Sequence, residues 1–235
     1  MAGERLLRIL ARLSSFPESE RSSRLCQVAA EMTAMSGAGI MLMSGDLAQG
    51  SLCSSNDTSA KVEDLQYTLG EGPCVDAYHQ DRPVFEPDLA DPDTLRWGAF
   101  TPLAVEAGVR AIFGFPIQVG VARLGALNLY SDRPGGLSSE QHADSLVMAE
   151  VAAMTVVAMQ SKAPPGAIAA DLEAGANLRF VVHQAAGMVS VQLGVSIGEA
   201  LVRMRAYAFS NNRLVDDVAK DVVARRVRFN DRDQT

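Results

Sequence analysis

The sequence predicts an α+β domain followed by a small all-α domain. Three observations support this prediction. Roughly the first two thirds of the chain alternate between helical and strand periods, the last sixty or so residues show only helical periods, and a Pro-Pro-Gly segment at residues 164–166 separates the two parts. With 48% hydrophobic residues among 235, the chain can form one sizeable core and a smaller second one.

The first part contains helices and strands in alternation. Leu6, Leu10 and Leu13 predict one helix, and the apolar spacing from Leu25 to Met32 predicts a second. Strands are expected at residues 38–44 and 50–54, a helix at 62–69, a short strand at 83–86 and a helical or irregular lid at 95–107. Residues 109–119 and 124–130 are expected to form a hairpin. We therefore expect an antiparallel sheet with helices on one face.

A long apolar helix is predicted at residues 138–160. Glu150 and the modest length of this segment indicate a buried core helix rather than a membrane span. The sequence shows no signal peptide, so the expected location is cytoplasmic, without a membrane partner.

The last part contains three short helical patterns. The first runs from Leu178 to Leu193 and is stopped by Gly194. The second opens with Ser196 and Glu199 at the spacing of a capping box, and the third starts near Leu214, with acidic residues in its first turn. In this third helix residues 215, 218, 219, 222 and 223 are expected to be buried. Short loops between such helices predict a three-helix bundle.

Charge is divided unevenly between the two parts. Residues 179–228 contain eight basic and four acidic residues, a net charge of +4, whereas residues 1–160 contain 11 basic and 20 acidic residues, a net charge of −9. This distribution favours a polyanionic partner for the C-terminal part. A solvated helix surface is the alternative interpretation of the same cluster.

Several short segments follow one another in the C-terminal part: Leu178-Arg179, His183-Gln184-Ala185-Ala186-Gly187-Met188, Glu199-Ala200-Leu201, Met204-Arg205, Ala208, Asn212-Arg213 and Val218-Ala219. In this order, over roughly residues 171–226, they resemble the ANTAR domain, the three-helix output module of transcription antitermination regulators. The resemblance implies binding to RNA hairpins in nascent transcripts, typically a pair of stem-loops with six-nucleotide loops. The candidate RNA-binding residues are Arg179, Arg203, Arg205, Arg213 and Lys220.

Small residues in these segments have an expected structural role. Ala185, Gly187, Ala200, Ala208 and Ala219 should let three helix backbones approach closely, so that larger side chains would overpack the bundle. The ANTAR family commonly has Lys where this chain has Ala186, which removes one cation from the expected RNA face.

A helix-turn-helix interpretation competes with this one. In that case Gly194 would form the turn, and residues 196–210 would place Arg203 and Arg205 in a DNA major groove. Ile197, Gly198 and Ala200 count against it, because the N-terminal turn of a recognition helix normally carries side chains that read bases.

The first part contains its own ordered set of segments: Leu69-Gly70-Glu71-Gly72-Pro73-Cys74, Pro83-Val84, Pro87-Asp88-Leu89, Gly108-Val109-Arg110-Ala111, Phe115-Pro116-Ile117 and Leu124-Gly125-Ala126-Leu127-Asn128-Leu129-Tyr130. Together they resemble a GAF domain. The resemblance implies a pocket between the sheet and the surrounding segments, with ligands that range from cyclic nucleotides to tetrapyrroles to none. The candidate pocket residues are Cys74, Arg96, Trp97, Phe113, Asn128 and Tyr130. Aromatic residues in such strands are also common core fillers.

The sequence thus predicts a GAF sensor domain at residues 1–162, a linker at 163–170, an ANTAR-type RNA-binding domain at 171–228 and a polar tail at 229–235. The identity of a ligand or cofactor is unknown from the sequence, and no metal site is expected. We expect a homodimer, assembled through the helix near Leu6 and the long helix that ends near Gln160, because a pair of hairpins offers two equivalent sites.

The cysteines define a second functional class. Cys26, Cys53 and Cys74 are expected to be reduced thiols in a cytoplasmic chain. Some GAF proteins are free methionine sulfoxide reductases with a nucleophilic cysteine in a turn like that of Cys74, and Cys53 would be the resolving partner. Because Glu71 and Asp76 near Cys74 discourage thiolate formation, we expect the protein not to be an enzyme.

Overall fold

The computed structural model describes residues 2–45, 47–91, 96–161, 177–211 and 213–230. The chain forms two compact units, one of Met1–Tyr67 and Glu71–Leu178 and the other of Thr68–Gly70 and Arg179–Thr235. The predicted linker at residues 163–170 and the predicted start of the second domain at residue 171 lie outside the described residues.

The first unit contains helices and strands in alternation, as predicted. Its helices are α1 Ala2–Ser14, α2 Arg21–Thr33, α3 Asp57–Leu69, α4 Pro73–Gln80, α5 Phe100–Glu106 and α6 Ser139–Gln160, with a short 3-10 turn at Glu18–Glu20. Its strands are β1 Gly37–Ser44, β2 Leu47–Ser54, β3 Val84–Glu86, β4 Ala111–Val119, β5 Ala122–Ser131 and β6 Asn177–Leu178.

These strands form one antiparallel sheet in the order β3-β4-β5-β1-β2-β6. The predicted hairpin is confirmed by β4 and β5, which pair from Ala111 with Ser131 to Val119 with Ala122. Leu178 does not begin a helix, as the helical pattern had suggested, because it pairs with Gly50 of β2 and the next helix starts at Phe180.

Helices cover both faces of the sheet, which corrects the prediction of a single helical layer. Seven of the eight residues of β1 are buried, so both faces of this central strand are covered. One face packs against α1, α2 and α6 around a core that includes Ile40, Phe115 and Leu127. On the other face the α4 residue Pro73 approaches β4 at Gly114.

Two cysteines of the first unit form a disulfide, contrary to the expectation of reduced thiols. Cys26 of α2 and Cys53 of β2 are bonded, with their Cα atoms 5.8 Å apart, and Cys74 is a buried free thiol. The pairing arises because α2 packs on the sheet face to which Cys53 points. Because the two cysteines are 27 residues apart in sequence, the sequence alone does not indicate that they lie close together.

The short helix α4 was not among the predicted elements. It begins at Pro73, whose missing N–H is unneeded in a first helical turn. Gly70 and Gly72 precede it with positive φ angles of 70° and 131°, which glycine adopts readily. These two glycines turn the chain sharply from α3 into α4.

The second unit consists mainly of three helices, α7 Phe180–Leu193, α8 Ile197–Ser210 and α9 Val215–Val223, which confirms the three predicted helical patterns. Gly194 ends α7 in the left-handed conformation, and the Ser196 hydroxyl accepts a hydrogen bond from the Glu199 N–H at the start of α8. The other half of the predicted capping box does not form, because the Glu199 carboxylate accepts from Arg203 instead. Of the residues predicted to be buried in α9, Val223 is only half-buried.

The small residues of the bundle follow the prediction with one exception. Ala185, Ala200, Ala208 and Ala219 are fully buried. A Cβ atom at Gly187 would meet no atom within 4 Å, so the expected overpacking at this position was wrong. Ala186 is buried as well, so the side chain at this position does not reach the surface.

Helix α6 is long and apolar enough to cross a membrane by length and composition, but 56% of its apolar 18-residue stretch is buried inside the protein. Core helices satisfy the same criteria. Helices α7 and α8 satisfy them only as a pair and are bent by 103° relative to each other.

The close approach of α4 to β4 predicts a mutational effect. A Cβ at Gly114 would overlap the carbonyl oxygen of Pro73. We expect Gly114→Ala to lower the free energy of unfolding by about 1–3 kcal/mol in urea denaturation, because backbone must move to relieve the overlap. Gly136→Ala is the control, since its Cβ would meet no atom within 4 Å. Equal stabilities of the two variants would contradict the packing described here.

Candidate functional site

A buried polar stripe along α3 is the most unusual feature of the first unit. Ser59, Glu63 and Gln66 are four and three residues apart, so they share one face of the helix, and all three are essentially inaccessible to solvent. Glutamate and glutamine are seldom buried in protein cores. The stripe faces the sheet, because a Cβ at Gly39 of β1 would lie 2.6 Å from the Glu63 carboxylate.

The strand positions on either side of one buried asparagine are glycines, and α3 and α4 pack closely against them. Asn128 of β5 is paired with Gly39 on one side and Gly114 on the other, and it is fully buried. Neither polar atom of the Asn128 amide finds a hydrogen-bond partner among the described residues. Buried amides normally have such partners, so this group is available to a small polar molecule.

Cys74 and Gln66 complete what we term the polar cluster: Glu63, Gln66, Cys74 and Asn128. The Gln66 Oε1 atom accepts a hydrogen bond from the Cys74 N–H at 2.7 Å, and the Cys74 Sγ atom lies 4.0 Å from the Ala126 carbonyl oxygen. The Gln66 Nε2 atom is buried without a partner among the described residues. The cluster therefore brings two amide groups, a thiol and a carboxylate together inside the domain.

The Cys74 thiol is protonated at neutral pH. Burial raises its pKa well above the ordinary value, and the nearby Glu63 carboxylate raises it further. The hydrogen bond with Gln66 acts in the opposite direction and is the weaker effect. A protonated thiol is a poor nucleophile. Cys53, the predicted resolving partner, is bonded to Cys26.

Arg96 and Trp97 are held beside α4 by Asp76. The Asp76 Oδ2 atom accepts a hydrogen bond from Arg96 Nη2 at 2.9 Å and another from the Trp97 indole N–H at 3.1 Å. The Arg96 guanidinium also lies over the Trp97 ring. Glu71 fixes the following segment, because its Oε1 atom accepts from the backbone N–H groups of Ala99 and Phe100 at 2.7 Å each.

The predicted pocket residues fall on two faces of the sheet. Asn128 and Tyr130 alternate onto the face that also meets Cys74, and the Tyr130 hydroxyl donates to Asn56 Oδ1 at 3.0 Å. Phe113 belongs to the opposite face, in the core with α2 and α6, so its inclusion with the other pocket residues was wrong. Side chains alternate along a strand, and residue 113 is out of phase with residue 114, which pairs with Asn128.

Sequence reasoning missed Glu63, Gln66 and the roles of Glu71 and Asp76. The spacing of Ser59, Glu63 and Gln66 on one helical face was the available signal. A polar helix face normally predicts solvent exposure, so its burial could not be read from that spacing alone.

In the second unit most of the predicted RNA-binding cations form ion pairs. Arg179 is almost fully buried and is paired with Asp216, and Arg213 is paired with Asp221 at 2.6 Å. The remaining pairs are Arg203 with Glu199 at 2.8 Å, Lys220 with Asp217 at 3.0 Å and Arg226 with Asp221 at 2.6 Å. Arg205 is half-buried on α8 and also has an interaction partner. The Asp221 pKa is lowered by hydrogen bonds from Arg213 and then from Arg226.

Comparison with known proteins identifies the first unit. A family model described as GAF domain matches residues 17–156. The GAF domain of a phosphoenolpyruvate-protein phosphotransferase from Coxiella burnetii is similar in structure, with a TM-score of 0.53 and 14% identity over 68% of this chain and 95% of that one. The corresponding domain from Acinetobacter gives a TM-score of 0.51 and 14% identity over 69% and 96%.

A search of the curated proteins finds no match to this sequence. The solved structures, at these identities, show the fold alone. The family model covers more than half of the chain and includes β1 to β5, α2 to α5 and most of α6. The chain belongs to the GAF domain family, a family of sensory and regulatory input domains.

Proposed function

We propose that this protein is a cytoplasmic transcription antitermination regulator, in which the GAF domain controls an ANTAR-type RNA-binding domain. One observation carries the proposal: a three-helix bundle with net charge +4 follows an acidic domain, and its small residues are buried where the ANTAR resemblance expects them. These are Ala185, Ala200, Ala208 and Ala219. The proposed domains are residues 1–162 and 171–228, joined by the linker at 163–170.

RNA is a better partner than DNA for this bundle. The first turn of α8 offers Ile197 and Gly198 where a recognition helix would present base-reading side chains. Arg203, farther along α8, is hydrogen-bonded to Glu199 on the same helix. Helix α8 therefore has few groups that could read a DNA major groove.

The predicted cations have two different roles in this proposal. Arg179 and Arg213 hold carboxylates of α9 and so stabilise the bundle. The carboxylate partners of Arg203 and Lys220 are more exposed than those of Arg179 and Arg213, and such surface pairs three or four residues apart stabilise the helix only weakly. These side chains can exchange their intramolecular partner for a phosphate, while Arg205 supports α8.

The input is proposed to be a small polar molecule bound at the polar cluster. Two buried amide groups without hydrogen-bond partners among the described residues support this assignment. The proposal involves no turnover, because the Cys74 thiol is protonated and Cys53 is not available to resolve it.

A homodimer fits the exposed apolar surface of the GAF domain. Leu7 and Leu10 of α1 are exposed, as are Leu146, Met154 and Val157 of α6. The α6 residues recur at helical spacing and form a stripe. Pairing such stripes in a twofold dimer would bury them and bring two RNA-binding domains to one hairpin pair.

The first test of this function is RNA selectivity. We expect the full chain to prefer a paired-hairpin RNA over a scrambled-loop RNA and over duplex DNA, as measured by fluorescence anisotropy at two salt concentrations. Preference for duplex DNA would favour the helix-turn-helix interpretation. Absence of a preference for the hairpin over the scrambled loop would overturn the antitermination assignment.

Two variants separate phosphate contacts from structural ion pairs. Arg203→Ala should weaken RNA binding and reduce the salt slope by about 0.7–0.9, with an unchanged melting temperature. Arg213→Ala should lower the melting temperature and the affinity together, because Asp221 loses a partner at 2.6 Å. An unchanged melting temperature in Arg213→Ala would contradict its structural role.

The polar cluster predicts an unusual stability change. Asn128→Leu should raise the free energy of unfolding of the ligand-free protein by about 1–2 kcal/mol, because it removes a buried amide without partners. Asn56→Ala is the control and should be destabilising, since Asn56 Oδ1 accepts hydrogen bonds from Ser59 and Tyr130. If the two variants are equally destabilised, Asn128 has a structural role instead.

The enzyme alternative makes a distinct prediction. We expect no thiol-dependent reduction of free methionine sulfoxide, and alkylation of Cys74 by iodoacetamide only after unfolding, followed by mass spectrometry. Reductase activity that is lost in Cys74→Ser would reverse this assignment.

A further inference from the structure

A groove on the second unit lies between α7 and the segment that follows α9. Its volume is about 620 Å³, and its walls are formed by Gln184, Gly187, Met188 and Val191 of α7 together with Arg225 and Arg228. Gln192 and Asn230 also line it. We term it the C-terminal groove.

The segment after α9 is fixed in place. The Phe229 N–H donates to Gln192 Oε1 of α7 at 2.9 Å, and the Phe229 ring packs edge-on against Tyr207 of α8 with centroids 5.4 Å apart. Arg225 adopts the left-handed conformation with φ 60°, and its N–H donates to the Val222 carbonyl oxygen. The wall that carries Arg225 and Arg228 is therefore positioned by hydrogen bonds and packing against two helices.

The charges in this wall differ from those elsewhere in the unit. Arg225 and Arg228 are exposed and make no ion pair with any described carboxylate, whereas Arg226 between them is paired with Asp221. Asp221 also forms an ion pair with Arg213, so its negative charge does not fully neutralise Arg225 and Arg228. Two guanidinium groups thus face the groove with their hydrogen-bond donors available.

The floor of the groove is flat and partly apolar. A Cβ at Gly187 would meet nothing within 4 Å, and Val191 is 84% exposed. Met188 lies between them and is half-buried. The amides of Gln184 and Asn230 stand at the edges, and Gln192, whose Oε1 is used by Phe229, retains its Nε2 donors.

We propose that the C-terminal groove binds unpaired loop nucleotides of the RNA. Arg225 and Arg228 hold the phosphates, a base packs on the floor at Gly187 and Met188, and the amide side chains contact its edge. This proposal rests on the proposed function and names the surface that reads the loop. None of the groove residues was among the RNA-binding residues expected from the sequence.

Size and charge favour a single-stranded nucleotide over other occupants. A volume of 620 Å³ falls within the ~300–1,000 Å³ range of small-molecule sites, so the groove can hold a single base. The apolar face of a base can pack on a floor of this kind, while its phosphates match two arginines that form no ion pair with a carboxylate of the described residues. A partner helix would meet the same floor but would leave the guanidinium groups without anions unless it were acidic.

The test compares two RNA probes and three variants of the full chain. One probe is a hairpin with a six-nucleotide loop, and the other is the same stem closed by a non-nucleotide ethylene glycol linker. The wild type should bind the looped probe more tightly. Arg225→Ala combined with Arg228→Ala should lose about 10–100-fold in affinity for it, and the salt slope should decrease by about 1.4 for two lost phosphate contacts.

Gly187→Leu tests the contribution of the groove floor, because it changes the floor and leaves the two arginines in place. A leucine there fills the groove without disturbing a neighbour, and leucine favours helix over glycine, so folding should be retained. This variant should lose the preference for the looped probe and keep the wild-type salt slope. Arg226→Ala is the matched control, because it removes the same charge from the same segment but from a guanidinium already paired with Asp221. Its affinity should stay within about twofold of the wild type.

Each other outcome overturns the inference. If the wild type prefers the hairpin and the groove variants bind it equally well, the groove is not the reading surface, while the proposed function stands. If the wild type does not distinguish the two probes, the proposed function itself fails. A change in oligomeric state in the double variant, measured by sedimentation, without a change in RNA affinity would assign the groove to a protein interface.

Discussion

Burial of polar side chains between α3 and the sheet is the constraint on which the GAF domain depends. Groups such as the Gln66 and Asn128 amides can be buried only where hydrogen-bond partners exist or where space remains for a molecule that supplies them. Gly39 and Gly114, on either side of Asn128, let α3 and α4 approach the sheet, because Glu63 and Pro73 occupy the places that side chains would take there. The same glycine at position 114 lets the start of α4 approach the sheet, which brings Cys74 into hydrogen-bond range of Gln66. One row of small residues therefore sets the position of the whole cluster.

A related constraint governs the helical bundle. The Arg179 side chain is nearly inaccessible, and a buried guanidinium must be paired, which Asp216 of α9 provides. Arg213 and Arg226 converge on Asp221 in the same helix. Five of the eight basic residues in residues 179–228 thus form ion pairs with carboxylates of the bundle, so its net charge overstates the cationic surface available to a polyanion. Arg225 and Arg228, which are exposed and form no ion pair with a carboxylate of the described residues, lie together beside the C-terminal groove.

Local patterns predicted the elements well, because amphipathic spacing, the Gly194 stop and the Ser196 cap are encoded within a few residues. Long-range packing was not encoded in that way. The Cys26–Cys53 bond depends on how α2 lies on β2, and the separation of Phe113 from Asn128 depends on strand register. Helix α4 escaped detection because its eight residues are too short for a periodic signal. The buried stripe at Ser59, Glu63 and Gln66 does give a periodic signal, but a polar pattern of this kind is typical of an exposed helix face.

The polar cluster also limits how strongly a ligand can act. A buried amide without a hydrogen-bond partner costs about 1–3 kcal/mol, and a ligand of the proposed kind that hydrogen-bonds with Gln66 Nε2 and Asn128, which lack partners among the described residues, would return that free energy. A ligand shifts an equilibrium only by its differential affinity for the two states. A difference of about 1–3 kcal/mol corresponds to roughly 5–150-fold in the affinity of a coupled site. Hydrogen bonds to two amides are thus sufficient for a change in RNA affinity of that size. The condition is that the position of the two amides differs between the conformation that binds RNA and the one that does not.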